Sequence, residues 1–262
     1  MSAKIKILLF GFVTLVAVVP ARGAEPIELR AEGSFPVKYT ETISDTSRQN
    51  RLSAGPYLAF IASGRLQPDL SVSLFAEGGQ ERLTGFRETN NTFASFGGNI
   101  VKRWGAFLTG MSVEHIQFFQ GPFGFAVNDA NDLNVFARYH LKPNADLRIS
   151  PMAIAATRLD DALSVQRYSF SARVDIEHRL VDSWWLVAMP RVRLFDYVGA
   201  SAGRRDVFLA ALAGLKYEFN DNVSLIMLAG YETISSNFAG RSLDRLLVGA
   251  SIDFNFNFGR DW

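Results

Sequence analysis

Apolar and polar residues alternate along this chain with a period of two. Leu133, Val135, Ala137, Tyr139 and Leu141 take every second position, with Asn134, Arg138, His140 and Lys142 between them. Tyr168, Phe170, Ala172, Val174 and Ile176 interleave in the same way with Ser169, Ser171, Arg173, Asp175 and Glu177. Leu246, Val248, Ala250, Ile252, Phe254, Phe256 and Phe258 repeat the pattern against Asp253, Asn255 and Asn257. Side chains of a strand point alternately to its two faces, so each segment has one oily and one wet side. This reading predicts strands near 33–43, 51–63, 69–78, 92–102, 105–117, 132–142, 146–158, 166–178, 184–196, 206–219, 222–233 and 243–258. Pro36 must then sit near the end of the first.

The connections fall into two kinds. Lys102-Arg103-Trp104, 142–146, 180–183 and 220–222 are short, whereas 121–132, 196–205 and 233–241 are longer and rich in Gly, Asn, Asp and Ser. The two kinds alternate, which matches a transmembrane barrel with short periplasmic turns and longer outer loops. Trp104, Tyr139, Trp184, Trp185, Tyr217 and Phe219 lie near short turns, and Tyr168, Tyr197 and Tyr231 lie toward the longer loops. Two such belts are what amphipathic rings prefer at two membrane interfaces. A soluble sandwich has no reason to sort them.

The amino terminus reads as an export signal. Lys4 and Lys6 precede a short apolar run from Ile7 to Val19, and Ala21-Arg22-Gly23 presents small residues for cleavage before Ala24. The expected division is a signal peptide over 1–23 and a barrel domain over 24–262. The chain has no cysteine, hence no disulfide and no thiolate metal site. With a net charge of +1 it lacks the basic excess of a nucleic-acid binder.

The closing run from Leu246 to Phe258, with Trp262 in the same parity as Phe254, Phe256 and Phe258, resembles the carboxyl-terminal assembly signal of bacterial outer-membrane β-barrels. Arg260 interrupts it at a normally apolar place. The resemblance covers the signal, the last strand and the periodicity, and it identifies a class, not one family. It implies an all-β, closed antiparallel barrel of about twelve strands in the outer membrane, with lipid and the barrel-assembly machinery as partners. Closure is also physically required, because hydrocarbon leaves no partner for an unpaired sheet edge.

If the oily face looks outward, the interleaved residues enter the lumen. Arg138, Lys142, Arg148, Arg158, Arg173, Arg191, Arg193 and Lys216 would line one side, and Glu77, Glu114, Glu232 and Asp253 the other, with Asp175, Glu177 and Glu218 among the basic group. A basic wall favours anions by replacing their hydration with charge-assisted hydrogen bonds. The expected function is therefore a narrow channel for small solutes, with anion preference as the finer expectation. The bland alternative is that the charges pair and fill the interior. A lipid-modifying hydrolase is a second alternative, but Ser112 and His115 have opposite parity, and His140 and His178 fall near short turns. A structural or adhesive barrel without a pore is a third. Asn128-Asp129-Ala130-Asn131-Asp132 crowds oxygen atoms without the spacing of a Ca²⁺ loop, so neither metal nor cofactor is expected. Phe118, Phe119, Phe123 and Phe125 make that same stretch oily.

Overall fold

Every segment that alternates is a hydrogen-bonded strand in the computed structural model, which describes residues 27–44, 47–83, 91–120, 126–160, 166–199 and 202–258. The strands are β1 (Glu28–Ser44), β2 (Ser47–Ala54), β3 (Tyr57–Gln67), β4 (Leu70–Leu83), β5 (Asn91–Trp104), β6 (Phe107–Gln120) and β7 (Ala126–Tyr139). They continue as β8 (Leu147–Asp160), β9 (Arg167–Val181), β10 (Trp184–Tyr197), β11 (Arg205–Asn220), β12 (Val223–Ser236) and β13 (Leu243–Asn257). The expected signal peptide, Arg260 and Trp262 lie outside the described residues.

Thirteen strands make twelve spans. β2 and β3 pair with β1 in one continuous register, Val37 opposite Ala54 and Ser34 opposite Tyr57. Between them the chain is interrupted only at Gly55-Pro56, where Gly55 N donates to Pro36 O at 3.2 Å. Neither Pro36 nor Pro56 has an N–H to give the ladder. Pro36 therefore lies inside β1 rather than near a strand end, opposite the one break in the wall among the described strands. All neighbouring pairs are antiparallel, and β13 returns to β1 from Arg30↔Asn257 to Ser44↔Leu243, closing the ring. The fold is an all-β, closed twelve-stranded antiparallel barrel.

Strands extend two to six residues beyond several predicted ends, mostly at the loop side. The acidic run expected in a loop, Asn128 to Asp132, belongs to β7 instead. Its oxygens are spread over two faces of a strand, and among the described residues no acidic or histidine cluster is arranged to hold a metal. At the short-turn end, Leu180 and Phe219 are skipped by the pairing of their strands and stand half exposed on the outside. Asn144 and Asn220 tighten two of these turns, each accepting two backbone N–H bonds through its side-chain oxygen.

The outer wall carries the exposed apolar side chains, among them Phe35, Phe60, Val135, Phe170, Leu209, Val248 and Ile252. Residues of the opposite parity hold nearly all the ion pairs. Glycines let bulky neighbours cross the strands. Phe75 lies over Gly97, Phe136 over Gly110 and Phe93 over Gly79, each a directly paired position. A Cβ built on Gly97 would stand 2.3 Å from Val113 O and 2.6 Å from the Phe75 ring. These three rings share the inward parity, so part of the interior is packed with phenylalanine rather than lined with polar groups. The uniform wet face read from alternation is corrected here: on β4, β5 and β7, inward positions among the polar and charged ones carry phenylalanine.

Candidate functional site

Cross-strand register gathers the inward charges into rows. Arg148 faces Glu177, Ser150 faces Asp175, and Glu177 faces Val187. Arg173 faces Arg191, Arg193 lies between Ser171 and Phe208, and Lys216 lies beside Trp185. At the turn end, Arg138, Lys142, Arg148, Arg173 and Lys216 line a hollow of about 600 Å³ with Asp175 and Glu177. Five of the expected basic residues thus meet in one hollow, with Lys142 contributed by the β7–β8 connection, while Arg191 and Arg193 stand further along β10.

Most of these cations have partners. Arg138 and Arg173 share Asp175 at 3.5 and 3.4 Å, Arg148 reaches Glu177 at 3.4 Å, and Lys216 holds Glu218 at 2.8 Å. Arg191 pairs with Glu232, which Arg245 also approaches at 4.0 Å. Arg158 grips Asp132 with two bonds of 2.8 and 2.6 Å. Arg193 differs. Among the described residues no carboxylate pairs with it; its guanidinium instead lies 5.6 Å over the Phe195 ring.

Of the acidic residues expected on the far side, Glu232 instead joins the basic wall through Arg191, and the others stand elsewhere on the ring. Glu77 accepts a 2.5 Å hydrogen bond from the Tyr57 hydroxyl, and Glu114 is inward, between Gly97 and Asp132. Asp253 is inward beside Ser34 and accepts from the Ser251 hydroxyl at 2.5 Å. β4, which carries Glu77, is six spans from β10, which carries Arg191 and Arg193. In a ring of twelve that is diametrically opposite.

Two aromatic assignments change. Trp185 and Tyr197, read as belt residues, are buried in the interior. The Trp185 indole N–H donates to Glu218 at 2.9 Å, and the guanidiniums of Arg148 and Arg179 lie 4.4 and 4.6 Å from its ring. The pairing slip at Leu180 does not alter the parity of Trp185, which follows from Trp184 facing out. Trp104, Tyr139, Trp184, Tyr168 and Tyr231 are exposed on the outer wall as belts require. Phe254 and Phe256 share the outward parity, and Phe258 is exposed. Of the oily stretch, Phe118 and Phe119 end β6, and Phe123 and Phe125 lie outside the described residues.

The histidines separate. His115 is outward, bonded to Asn131 at 3.1 Å and tilted against Phe96, while Ser112 is inward with Asn134. His178 is exposed at the turn end. His140 makes a contact that sequence reasoning missed, Nδ1 to Ser150 Oγ at 3.0 Å. Burial, then Arg138, Arg103 and Lys142, holds its pKa below the usual imidazole value. Among the described residues no carboxylate bonds to this ring, so the contact lacks the third, orienting group of a nucleophilic site. It fastens the β7–β8 connection to the wall.

No protein-family profile and no curated protein sequence matches the chain. Among solved structures it is similar to an outer-membrane channel from Pseudomonas putida F1, at 11% identity over 90% of this chain and 99% of that one, with a TM-score of 0.61. The fold is that of a bacterial outer-membrane β-barrel. Looser likenesses are to the translocator domain of the autotransporter NalP from Neisseria meningitidis (11% identity, 97% and 96% covered, TM-score 0.45) and to an anion-selective porin from Comamonas acidovorans (10%, 87% and 100%, 0.43). An outer-membrane barrel places its apolar wall against lipid, which accounts for dozens of large exposed apolar side chains that would be untenable in water.

Proposed function

We propose that this protein is a narrow outer-membrane channel for small solutes that prefers anions. The observation that carries the reading is the basic wall on β7–β11, where Arg138, Lys142, Arg148, Arg173, Arg191, Arg193 and Lys216 share one face and Arg193 has no acidic partner among the described residues. Glu77 lies across the ring, so a solute crossing the lumen meets a transverse field. An anion is drawn to the wall that offers edge N–H donors in place of lost water. Phe75 and Phe93, packed over glycines of β4 and β5, take up room on the side away from the basic wall. The lumen residues Glu77 and Asp253 set the opposing field, Glu232 offsets Arg191 within the basic wall, and Phe254, Phe256, Phe258 and Trp262 serve as the assembly signal after removal of residues 1–23.

The test is reversal potential in a planar bilayer under a salt gradient. The folded barrel is expected to give a small, salt-dependent conductance biased toward chloride. Replacing Arg191 and Arg193 together with Ser should move the reversal potential toward the cation's. An unchanged potential refutes the basic wall, and a barrel that never conducts is plugged by its own ion pairs.

A further inference from the structure

Five cation–ring contacts run along the inward side of β10. From the outer end, the Arg204 guanidinium lies 4.2 Å from the Tyr197 ring, and Arg167 lies 5.9 Å from Tyr197 and 4.9 Å from Phe195. Arg193 follows at 5.6 Å from Phe195, and Arg191 lies 4.8 Å from Phe208. The Phe195 and Tyr197 rings are 6.2 Å apart. Phe208 is the direct cross-strand partner of Arg193. Two phenylalanines therefore flank one arginine of the basic wall.

Rings over guanidinium faces have a chemical consequence. A stacked guanidinium keeps its N–H edges free, and those edges form a fork that fits a carboxylate with two parallel bonds. At two rungs a carboxylate of the protein takes the fork: Asp206 for Arg204 and Glu232 for Arg191. At Arg193 none does among the described residues, although Arg191 stands two residues away on the same strand and Arg173 directly opposite Arg191. Arg191 Nε is also buried without a hydrogen-bond partner beside it. Like charges crowd this rung, one fork is open, and the adjoining surface is aromatic.

We infer that the rung formed by Arg193, Phe195 and Phe208 is a binding station for a small carboxylate carried on a flat apolar body, such as an aromatic monocarboxylate. The carboxylate engages the Arg193 edge, and the ring lies against Phe195 or Phe208, where stacking and burial favour it. Chloride can use the charge but neither the fork nor the rings. A simple aliphatic carboxylate can use the fork alone. This inference rests on the channel reading and names its solute class.

The experiment is block of chloride current through the folded full chain by benzoate and by acetate. Benzoate is expected to half-block at a concentration at least tenfold below that of acetate. Phe195→Ala with Phe208→Ala should bring the two concentrations to within about twofold, and Arg193→Lys should raise the half-blocking concentrations of both anions severalfold, because an ammonium offers no planar fork. Equal block by both anions in the native barrel overturns the station while leaving the channel standing. If no chloride current flows, the channel reading fails instead, and calorimetry of benzoate against acetate on the detergent-folded barrel decides the station: equal or absent heats of binding refute it.

Discussion

Glu232→Gln is the sharpest test of how charge governs the lumen. Glu232 is buried at 5% exposure and neutralises Arg191 while Arg245 approaches from β13. The substitution keeps shape and removes one negative charge, so Arg191 becomes an uncompensated cation on the basic wall. A monovalent ion passing about 5–6 Å from that charge gains or loses about 0.8 kcal/mol at water-like screening, and about 3 kcal/mol at the lower effective dielectric of a protein surface. The lower figure changes an anion's local population about fourfold. It changes a cation's by the same factor in the opposite direction, so the permeability ratio should move at least about tenfold toward the anion. The assay is reversal potential in a tenfold salt gradient, beside a gel assay that the variant still folds to a heat-modifiable barrel. Adding Arg191→Gln to the same chain restores the charge and should return the potential toward its starting value. A ratio that does not move, or that moves toward the cation, refutes the idea that luminal charge sets selectivity. A double variant no nearer native than the single one does the same.

Two further outcomes follow from packing and protonation. Gly97→Val places a branched side chain where even a Cβ meets the Val113 carbonyl at 2.3 Å, so the barrel should lose roughly 1–3 kcal/mol and lose its heat-resistant gel mobility at a lower temperature. An unaltered transition would show that the Phe75 ring does not need this approach. His140 sits in the β7–β8 connection with its pKa depressed by burial and then by Arg138, Arg103 and Lys142. The unfolded chain binds that proton first, so stability should decline as pH falls below the ordinary imidazole value and level off below the lowered one. Anion preference should rise over the acidic part of that range as a charge joins the mouth, and His140→Gln should flatten both trends; a pH-independent reversal potential in the native barrel counts against it.

Period-two alternation located all twelve spans because hydrocarbon outside and a largely polar interior impose opposite chemistry on adjacent residues. What it misjudged lies where one face has a second task. Pro36 stands within β1 because Gly55-Pro56 on the facing strand relaxes the ladder at the same height. Asn128 to Asp132 looked like a loop by composition, yet Asp132 is drawn into β7 by its bidentate bond to Arg158. Trp185 and Tyr197 were assigned by height along the strand, which fixes nearness to an interface but not the face. Their parity, one residue from Trp184 and in step with Arg191 and Arg193, already marked them as inward. The rung at Phe195 and Phe208 was legible in the same way, as apolar residues at wet positions. The missing partner of Arg193 was not, since ion pairing depends on which carboxylates the register brings within reach.

The seam between β1 and β13 joins residues as far apart in the chain as Arg30 and Asn257. None of its ladder can form before the last strand exists, so during synthesis the growing sheet has two open edges and no acceptable place in hydrocarbon. Entry into the bilayer and sealing of the cylinder are therefore coupled events late in the protein's life history. Variants that weaken the final strand should accumulate as unsealed, protease-sensitive chains rather than as leaky cylinders.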